Sequence, residues 1–385
     1  MRRLTFTYLR TEAGAGLLLA VAAAAGVAVA NSRYGGAYFH LLAAPVPFRV
    51  GDFTETLSVI GWLRGLFMPL VFLVLAMQLK FELTRGELSN PRRLALPALA
   101  AAGGLIAPLG LGLALGHGQA WTVGLATDGS VALAVLAAAA PRLAHPLKVL
   151  LMSVALADNL AGVALAALAS PGVLHWPMVG GAALVLAGLA LLSRWRRAPL
   201  AFYAAGFVAV WAFALKSGLD ASLAGVACAV TVPVGARRPG QESLLKYVMD
   251  SLHPYVAWGV LPAFVFAAAG VSFDDLQAGD FARPAALAIL AALVVGKPLG
   301  VYGLASLGVA LKLARKPVGA KWAEIAGVAL LSGVGLTTSY FLAGVAADDA
   351  PIVRAAIMAA SLIAGLAGGL VLSAGEPQRS RMDAD

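Results

Sequence analysis

Residues 150–168 read LLMSVALADNLAGVALAAL, an apolar run that one ionisable side chain, Asp158, interrupts. A helix of about this length crosses the roughly 30 Å hydrocarbon core of a bilayer. An aspartate near the middle of such a helix costs roughly 2.5–3.5 kcal/mol on insertion scales, so it marks a functional-site candidate. The stretch therefore predicts a membrane-spanning helix with a polar site.

Similar apolar runs recur along the chain of 385 residues, which is 61% hydrophobic and 12% charged. Soluble domains carry roughly 25% charged residues, and this composition excludes one water-soluble core. The single cysteine, Cys228, excludes a disulfide framework. We predict an all-α polytopic membrane protein with about twelve transmembrane helices, near 12–30, 58–79, 94–114, 119–139, 148–170, 177–193, 200–215, 219–234, 254–271, 284–310, 323–346 and 352–373.

The lysines and arginines orient these spans. With the N-terminus in the cytoplasm, 21 of the 28 basic residues fall in cytoplasmic segments and five fall outside. Cytoplasmic loops of membrane proteins carry such an excess. We therefore predict an inner-membrane protein with both termini in the cytoplasm. The net charge of +9 follows from the same rule and does not indicate a nucleic-acid partner.

Three ionisable residues lie deep in predicted spans: Asp128, Asp158 and Lys297. An ion pair between Asp158 and Lys297 would reduce the desolvation cost of both. A carboxylate and a lysine that exchange a proton as a cation enters are the minimum machinery for proton-coupled cation transport. The competing interpretation is a salt bridge that only fixes helix packing.

Neighbours of these residues supply oxygen ligands for a cation. Asn159 follows Asp158 and points about 100° away from it on a helix, so one side chain can face the lysine while the other faces a cavity. Asp128 follows Thr127 in a break, where we expect its charge beside freed backbone carbonyls. Hard cations favour such oxygens, so Asp128 and Asp158 are candidate sodium ligands.

The fourth and eleventh spans are both interrupted, at residues 127–130 and 332–335. Spans three to five and ten to twelve run in opposite directions, and paired interruptions in two such halves are typical of transporter sites. Gly333, Gly335 and Thr337 mark the second break. For the glycines, ordinary helix packing is the alternative explanation.

Four polar residues lie near cytoplasmic span ends: Gln78, Glu82, Asp250 and His253. They are candidates for a cytoplasmic funnel or a pH response, or else for a solvated helix end. No Ser-His or Cys-His pairing, HExxH motif or P-loop is present, so neither an enzyme nor an ATP-driven pump is indicated, and we expect no cofactor.

The residues resemble the NhaA family of sodium/proton antiporters over nearly the whole chain. The motifs are GAGLLLAVAAAAGVAVANS (14–32), AMQLKFELTRGEL (76–88), ATDGSVALAVLAAAAPRLAHPLKVLLMSVALADNL (126–160), LHPYVAWGVLPAFVFAAAGVS (252–272), GKPLG (296–300) and LLSGVGLTTSYFLA (330–343).

This resemblance implies a homodimeric antiporter in the lipid bilayer, which exchanges cytoplasmic sodium or lithium for external protons and so maintains pH and sodium levels. Residues 94–170 and 284–373 would form the core transport repeats, and 12–79 and 177–271 the dimerisation part, with a hairpin near 40–56. The tail 376–385 is polar, and we expect it to be disordered. By resemblance, Asp128 supports the site beside Thr127, and Asp158 interacts with Lys297.

The chain departs from the family pattern at the position of a principal cation ligand, where Asn159 replaces an aspartate. Gln78 replaces a glutamate, Lys216 a histidine, and Gly129 a larger apolar residue. The loss of one carboxylate leaves two alternatives open. One is a diverged proton-coupled carrier for another solute, and the other is a non-transporting homologue.

Overall fold

The computed structural model describes residues 12–51, 53–115, 120–169, 173–195, 199–235, 242–274, 276–345 and 351–382. Within them lie α1 (Glu12–Ala30), α2 (Gly35–Ala43), β1 (Pro45–Val50), β2 (Phe53–Ser58), α3 (Val59–Thr84), α4 (Pro91–Leu115), α5 (Ala120–Val123), α6 (Gly129–Ala139), α7 (His145–Ala169), α8 (Trp176–Leu192), α9 (Leu200–Ser217), α10 (Ser222–Thr231), α11 (Leu244–Ala269), α12 (Pro284–Ala310), α13 (Trp322–Leu331), α14 (Leu336–Val345) and α15 (Pro351–Met382).

In these residues, eight helices are long and apolar enough to cross a membrane, and the bent pair α13–α14 makes a ninth. The shorter apolar helices α6, α8 and α10 also fall at predicted spans. The prediction of an all-α polytopic membrane protein is confirmed. Arginines 2, 3, 10, 196, 197, 237 and 238, which entered the orientation argument, lie outside the described residues.

Three long helices each contain a π-helical turn, at Leu63–Phe67, Val256–Val260 and Ala291–Gly296. Each turn ends two residues before a proline: Pro69, Pro262 or Pro298. Proline has no N–H to donate, and its ring clashes with the carbonyl four residues earlier, so a wider turn accommodates it. The third turn matters most here because Lys297 follows it directly.

Two glycines let α4 and α12 approach closely. A Cβ atom on Gly103 would collide with the carbonyl of Gly300, and a Cβ on Gly300 would collide with that of Gly103. Small residues at such crossings allow membrane helices to pack backbone to backbone. Gly300 lies one turn beyond Lys297, so this crossing fixes the depth of the lysine.

The hairpin expected near 40–56 is present, with β1 and β2 paired from Pro45–Ser58 to Val50–Phe53. Helix α2, which precedes it, is fixed to α11 by Tyr38, whose hydroxyl donates to Phe266 O at 2.7 Å. Burial raises the pKa of Tyr38 to about 12, so the phenol retains this proton at physiological pH.

Two expected boundaries were wrong. Helix α11 begins at Leu244, about a turn and a half before Asp250, where Ser243 caps it by accepting from Lys246 N at 3.1 Å. Asp250 and His253 therefore lie within the helix and do not precede it.

The last helix, α15, extends to Met382, through most of the expected disordered tail, because lengthening an existing helix costs less than nucleating one. Residues 383–385 lie outside the described residues.

Candidate functional site

The two helix breaks meet in the centre of the bundle. The segment between α5 and α6 contacts the segment between α13 and α14, where Asp128 N donates to Val334 O at 2.6 Å. The pair α13–α14 bends by 44° at its break, and residues 336–343 of α14 are all buried. Backbone groups freed by the two breaks are thus concentrated at one buried position.

The predicted glycines make this contact possible. A Cβ atom on Gly333 would collide with Leu293 O, in the π turn before Lys297. One on Gly335 would press against Ser339 Oγ and would lie 3.1 Å from Ala126 O. Gly335 N also donates to Ser361 Oγ at 3.1 Å, a contact that sequence reasoning missed.

Asp128 joins the N-termini of two half-helices. Its Oδ1 accepts from Val131 N at 3.2 Å, which caps α6, and its Oδ2 accepts from Thr337 N at 3.1 Å and from the Thr337 hydroxyl, at the start of α14. The expected freed carbonyls beside this carboxylate stay a prediction, since the bonds that it accepts come from two N–H groups and a hydroxyl. Both N–H groups belong to helix N-termini, which carry the positive end of the helix dipole and so stabilise the carboxylate.

Asp158 and Lys297 form a fully buried ion pair between α7 and α12. Lys297 Nζ lies 3.1 Å from Asp158 Oδ2, and both side chains are 0% exposed. The same ammonium donates to Leu125 O at 2.5 Å. Asp158 Oδ1 has no hydrogen-bond partner among the residues that the structure describes. The pair predicted from the sequence is therefore present, with one carboxylate oxygen left available.

Thr127 contacts both members of the adjacent pair on α7. Its backbone N–H donates to Asn159 Oδ1 at 3.2 Å, and its hydroxyl lies 3.0 Å from Asp158 Oδ2. Asp158 faces Lys297, whereas Asn159 lines a cavity. The predicted divergence of the two side chains is confirmed.

Two adjoining cavities approach this centre. The outer one, of about 570 Å³, is lined by all four predicted funnel residues, Gln78, Glu82, Asp250 and His253. The inner one, of about 80 Å³, is lined by Asp128 and Asn159. Gln78 and His253 line both cavities, so the outer one leads toward the buried carboxylate.

The inner cavity is rich in neutral oxygens. Besides Asp128 and Asn159, the hydroxyl-bearing residues Ser130, Thr337 and Thr338 line it. The sequence placed Ser130 within the first break and Thr338 beside Thr337, but neither was predicted as a residue of the site. Lys216, in contrast, forms an ion pair with Glu55 of the hairpin at 2.5 Å and does not line either cavity.

The chain is similar in sequence to known proteins over most of its length. A sequence model of the family described as Na+/H+ antiporter 1 matches residues 6–372. A protein of Bordetella parapertussis named Na(+)/H(+) antiporter NhaA is 37% identical over 377 residues, 95% of either chain. A protein of the same name from Rhizorhabdus wittichii is 37% identical over 380 residues, which cover 97% of this chain and 98% of the relative. A third protein of this name, from Campylobacter concisus, is 34% identical over 377 residues, which cover 95% of this chain and 91% of the relative.

Proposed function

Because this chain belongs to the Na+/H+ antiporter 1 family, we propose that it exchanges sodium for protons through Asp158, Lys297 and the cavity beside Asn159. Similarity over nearly the full length to proteins named as sodium/proton antiporters favours this function over the carrier and non-transporting alternatives. The buried Asp158–Lys297 pair at 3.1 Å carries the proposal. We infer that sodium or lithium leaves the cytoplasm as protons enter, which maintains internal pH and sodium.

The proposed exchange of a cation for a proton follows from the opposite charges of Asp158 and Lys297. A cation that moves from the outer cavity into the inner one comes close to Asp128 and to the side-chain oxygens of Asn159 and Thr337, which line it. Thr127 lies behind Asn159, to whose Oδ1 its N–H donates. As it approaches Asp158, it competes with the Lys297 ammonium for the same carboxylate, since two unit positive charges repel strongly in a medium of low dielectric. Loss of a proton from Lys297 relieves that repulsion. When the cation leaves, protonation of the lysine restores the ion pair.

The remaining features of the proposal rest on the sequence pattern and on the family resemblance. The distribution of lysine and arginine supports an inner-membrane protein with cytoplasmic termini. The cytoplasmic entrance to the site would then be the outer cavity, lined by Gln78, Glu82, Asp250 and His253. Residues 94–170 and 284–373 would move as the transport core. The exposed hairpin, where Val46 and Phe48 are each 41% exposed, supports a homodimer contact there. Catalysis of a covalent reaction and a bound cofactor are not part of this function.

Asn159 predicts the stoichiometry. With no second carboxylate beside Asp158, one proton is exchanged for each cation, and net charge does not cross the membrane. We therefore expect sodium-driven proton flux in proteoliposomes to be insensitive to an imposed membrane potential. Asn159→Asp adds one titratable group and is expected to make exchange electrogenic, with the rate responding to the potential.

A matched control is Asn90→Asp, which adds the same charge at an exposed position where Asn90 Oδ1 already accepts from Arg92 N at 3.0 Å. That variant should behave like the wild type. A wild-type rate that changes with the potential would show that another group carries a second proton.

A further inference from the structure

Ser361 is a buried polar residue of α15 to which the proposed exchange gives no role. It is 4% exposed, and its Oγ accepts a hydrogen bond from Gly335 N at 3.1 Å. Gly335 lies in the break between α13 and α14, 26 positions before Ser361 in the chain. The serine therefore connects α15 with the second of the two helix breaks.

The N–H group that donates to Ser361 has no partner within its own helix. Gly335 directly precedes α14, and its carbonyl accepts the first helical bond, from Ser339 N at 3.2 Å. The first N–H groups of a helix lack intrahelical acceptors. The hydrocarbon core of a bilayer offers no water to replace them, so other groups of the protein must accept these bonds. Ser361 supplies the acceptor for Gly335.

The next engaged N–H group of α14 belongs to the candidate cation site. Thr337 N donates to Asp128 Oδ2 at 3.1 Å, and the Thr337 hydroxyl donates to the same oxygen. The start of α14 is thus held at two points, by a neutral hydroxyl on α15 and by a carboxylate in the first break. Thr337 also lines the inner cavity, beside Asp128 and Asn159. The position of Gly335 therefore determines where Thr337 presents its oxygen to that cavity.

Small residues on the same face of α15 fix the distance between this helix and the break. A Cβ atom on Gly333, in the break, would lie 3.0 Å from Ala364 Cβ. A Cβ atom on Gly368 would lie 3.1 Å from Gly327 O in α13. Ala364 and Gly368 follow Ser361 by about one and two helical turns, so all three side chains face the same way. This close packing holds the Ser361 hydroxyl at a fixed position beside the break.

We propose that Ser361 is a positioning residue of the cation site. By accepting the N–H of Gly335, it fixes the start of α14 so that Thr337 bonds to Asp128 and presents its oxygen to the inner cavity. The inference rests on the proposed function, which assigns cation binding to that cavity. Ser361 is not among the described residues that line either cavity, so it acts through the backbone of α14 and not as a ligand.

The test compares Ser361→Ala, which removes the acceptor, with Ser361→Thr, which retains a hydroxyl. The matched control is Ser306→Ala on α12, since Ser306 donates to Gly303 O of its own helix at 2.9 Å and contacts neither break. Two quantities are measured: the KM and maximal rate of sodium-driven proton flux in proteoliposomes, and hydrogen exchange of the backbone amides of residues 335–338 without sodium. Each serine variant is also combined with Thr337→Val.

In Ser361→Ala, we expect the KM for sodium to rise about tenfold with the maximal rate changed less than about twofold, because the unsatisfied N–H of Gly335 displaces Thr337 from Asp128. Amide exchange at residues 335–338 should become about tenfold faster. With Thr337→Val already present, Ser361→Ala should raise KM less than about threefold further, since both changes act on the same contact. Ser361→Thr and Ser306→Ala should match the wild type in both measurements.

An unchanged KM in Ser361→Ala, with only a lower unfolding temperature, would overturn the proposal and leave Ser361 a purely structural residue. A full tenfold rise in KM on top of Thr337→Val would also contradict it, because Ser361 would then act by another route. The same holds if Ser361→Thr raises KM as much as Ser361→Ala does. If no cation drives proton movement in the wild type, the proposed function fails, whereas amide exchange at residues 335–338 still decides whether Ser361 holds the start of α14.

Discussion

Replacing Asp158 with asparagine is expected to reduce sodium-driven proton flux by about 100-fold or more, since the carboxylate for which the cation and the protonated Lys297 compete is lost. The change also leaves the ammonium of Lys297 buried without its counter-charge, and breaking a buried pair in this way costs roughly 3–5 kcal/mol. Flux in proteoliposomes and the thermal unfolding temperature in detergent measure the two effects separately.

Two further variants separate loss of transport from loss of folding. Asp158→Asn combined with Lys297→Met removes both charges, so stability should recover while exchange stays absent. Glu242→Gln removes an exposed carboxylate that pairs with Lys246 at 2.8 Å, and both flux and stability should stay near those of the wild type. Flux that persists in Asp158→Asn would assign the exchange to another residue.

Replacing Asp128 with alanine is expected to lower both stability and exchange. The N–H groups of Val131 and Thr337 lose their acceptor at once, and each buried unsatisfied donor costs roughly 1–3 kcal/mol. The positive ends of α6 and α14 then face each other without a carboxylate between them. Thermal unfolding in detergent should shift down by several degrees, and flux should fall with it.

The comparison for this variant is Ser243→Ala, which removes an N-cap from α11 alone. The loss of one such cap costs roughly 0.5–2 kcal/mol, so Asp128→Ala should lower the unfolding temperature clearly more. Equal losses in the two variants would mean that Asp128 does not hold both breaks together. Asp128→Asn retains an oxygen acceptor, so its loss of unfolding temperature should lie between the losses in Asp128→Ala and Ser243→Ala.

Local sequence patterns predicted the spans because whether a segment crosses the bilayer depends mainly on the length of its own apolar run. They also predicted the Asp158–Lys297 pair, since two opposite charges in apolar helices have few other ways to lower their desolvation cost. The divergence of Asp158 and Asn159 followed from helix geometry alone.

The partners of Asp128 were not predictable in this way. Thr337 and Val334 lie more than 200 positions away along the chain, and only the packing of the two breaks brings them to Asp128. Without that packing, a carboxylate in a helix break suggests nearby carbonyls and N–H groups equally. The early start of α11 was missed because Lys246, Asp250 and His253 lower the local hydropathy, although they fit one polar face of a helix.

The measurement that tests the central claim most directly is proton flux in proteoliposomes of the wild-type protein on addition of sodium, lithium or potassium. Sodium and lithium are expected to drive proton movement in the wild type with Asn159 in place, and Asp158→Asn in the same preparation should abolish it. If only Asn159→Asp responds to a cation, the native site does not carry out the exchange, and the assignment of this function to Asp158 and Lys297 is contradicted.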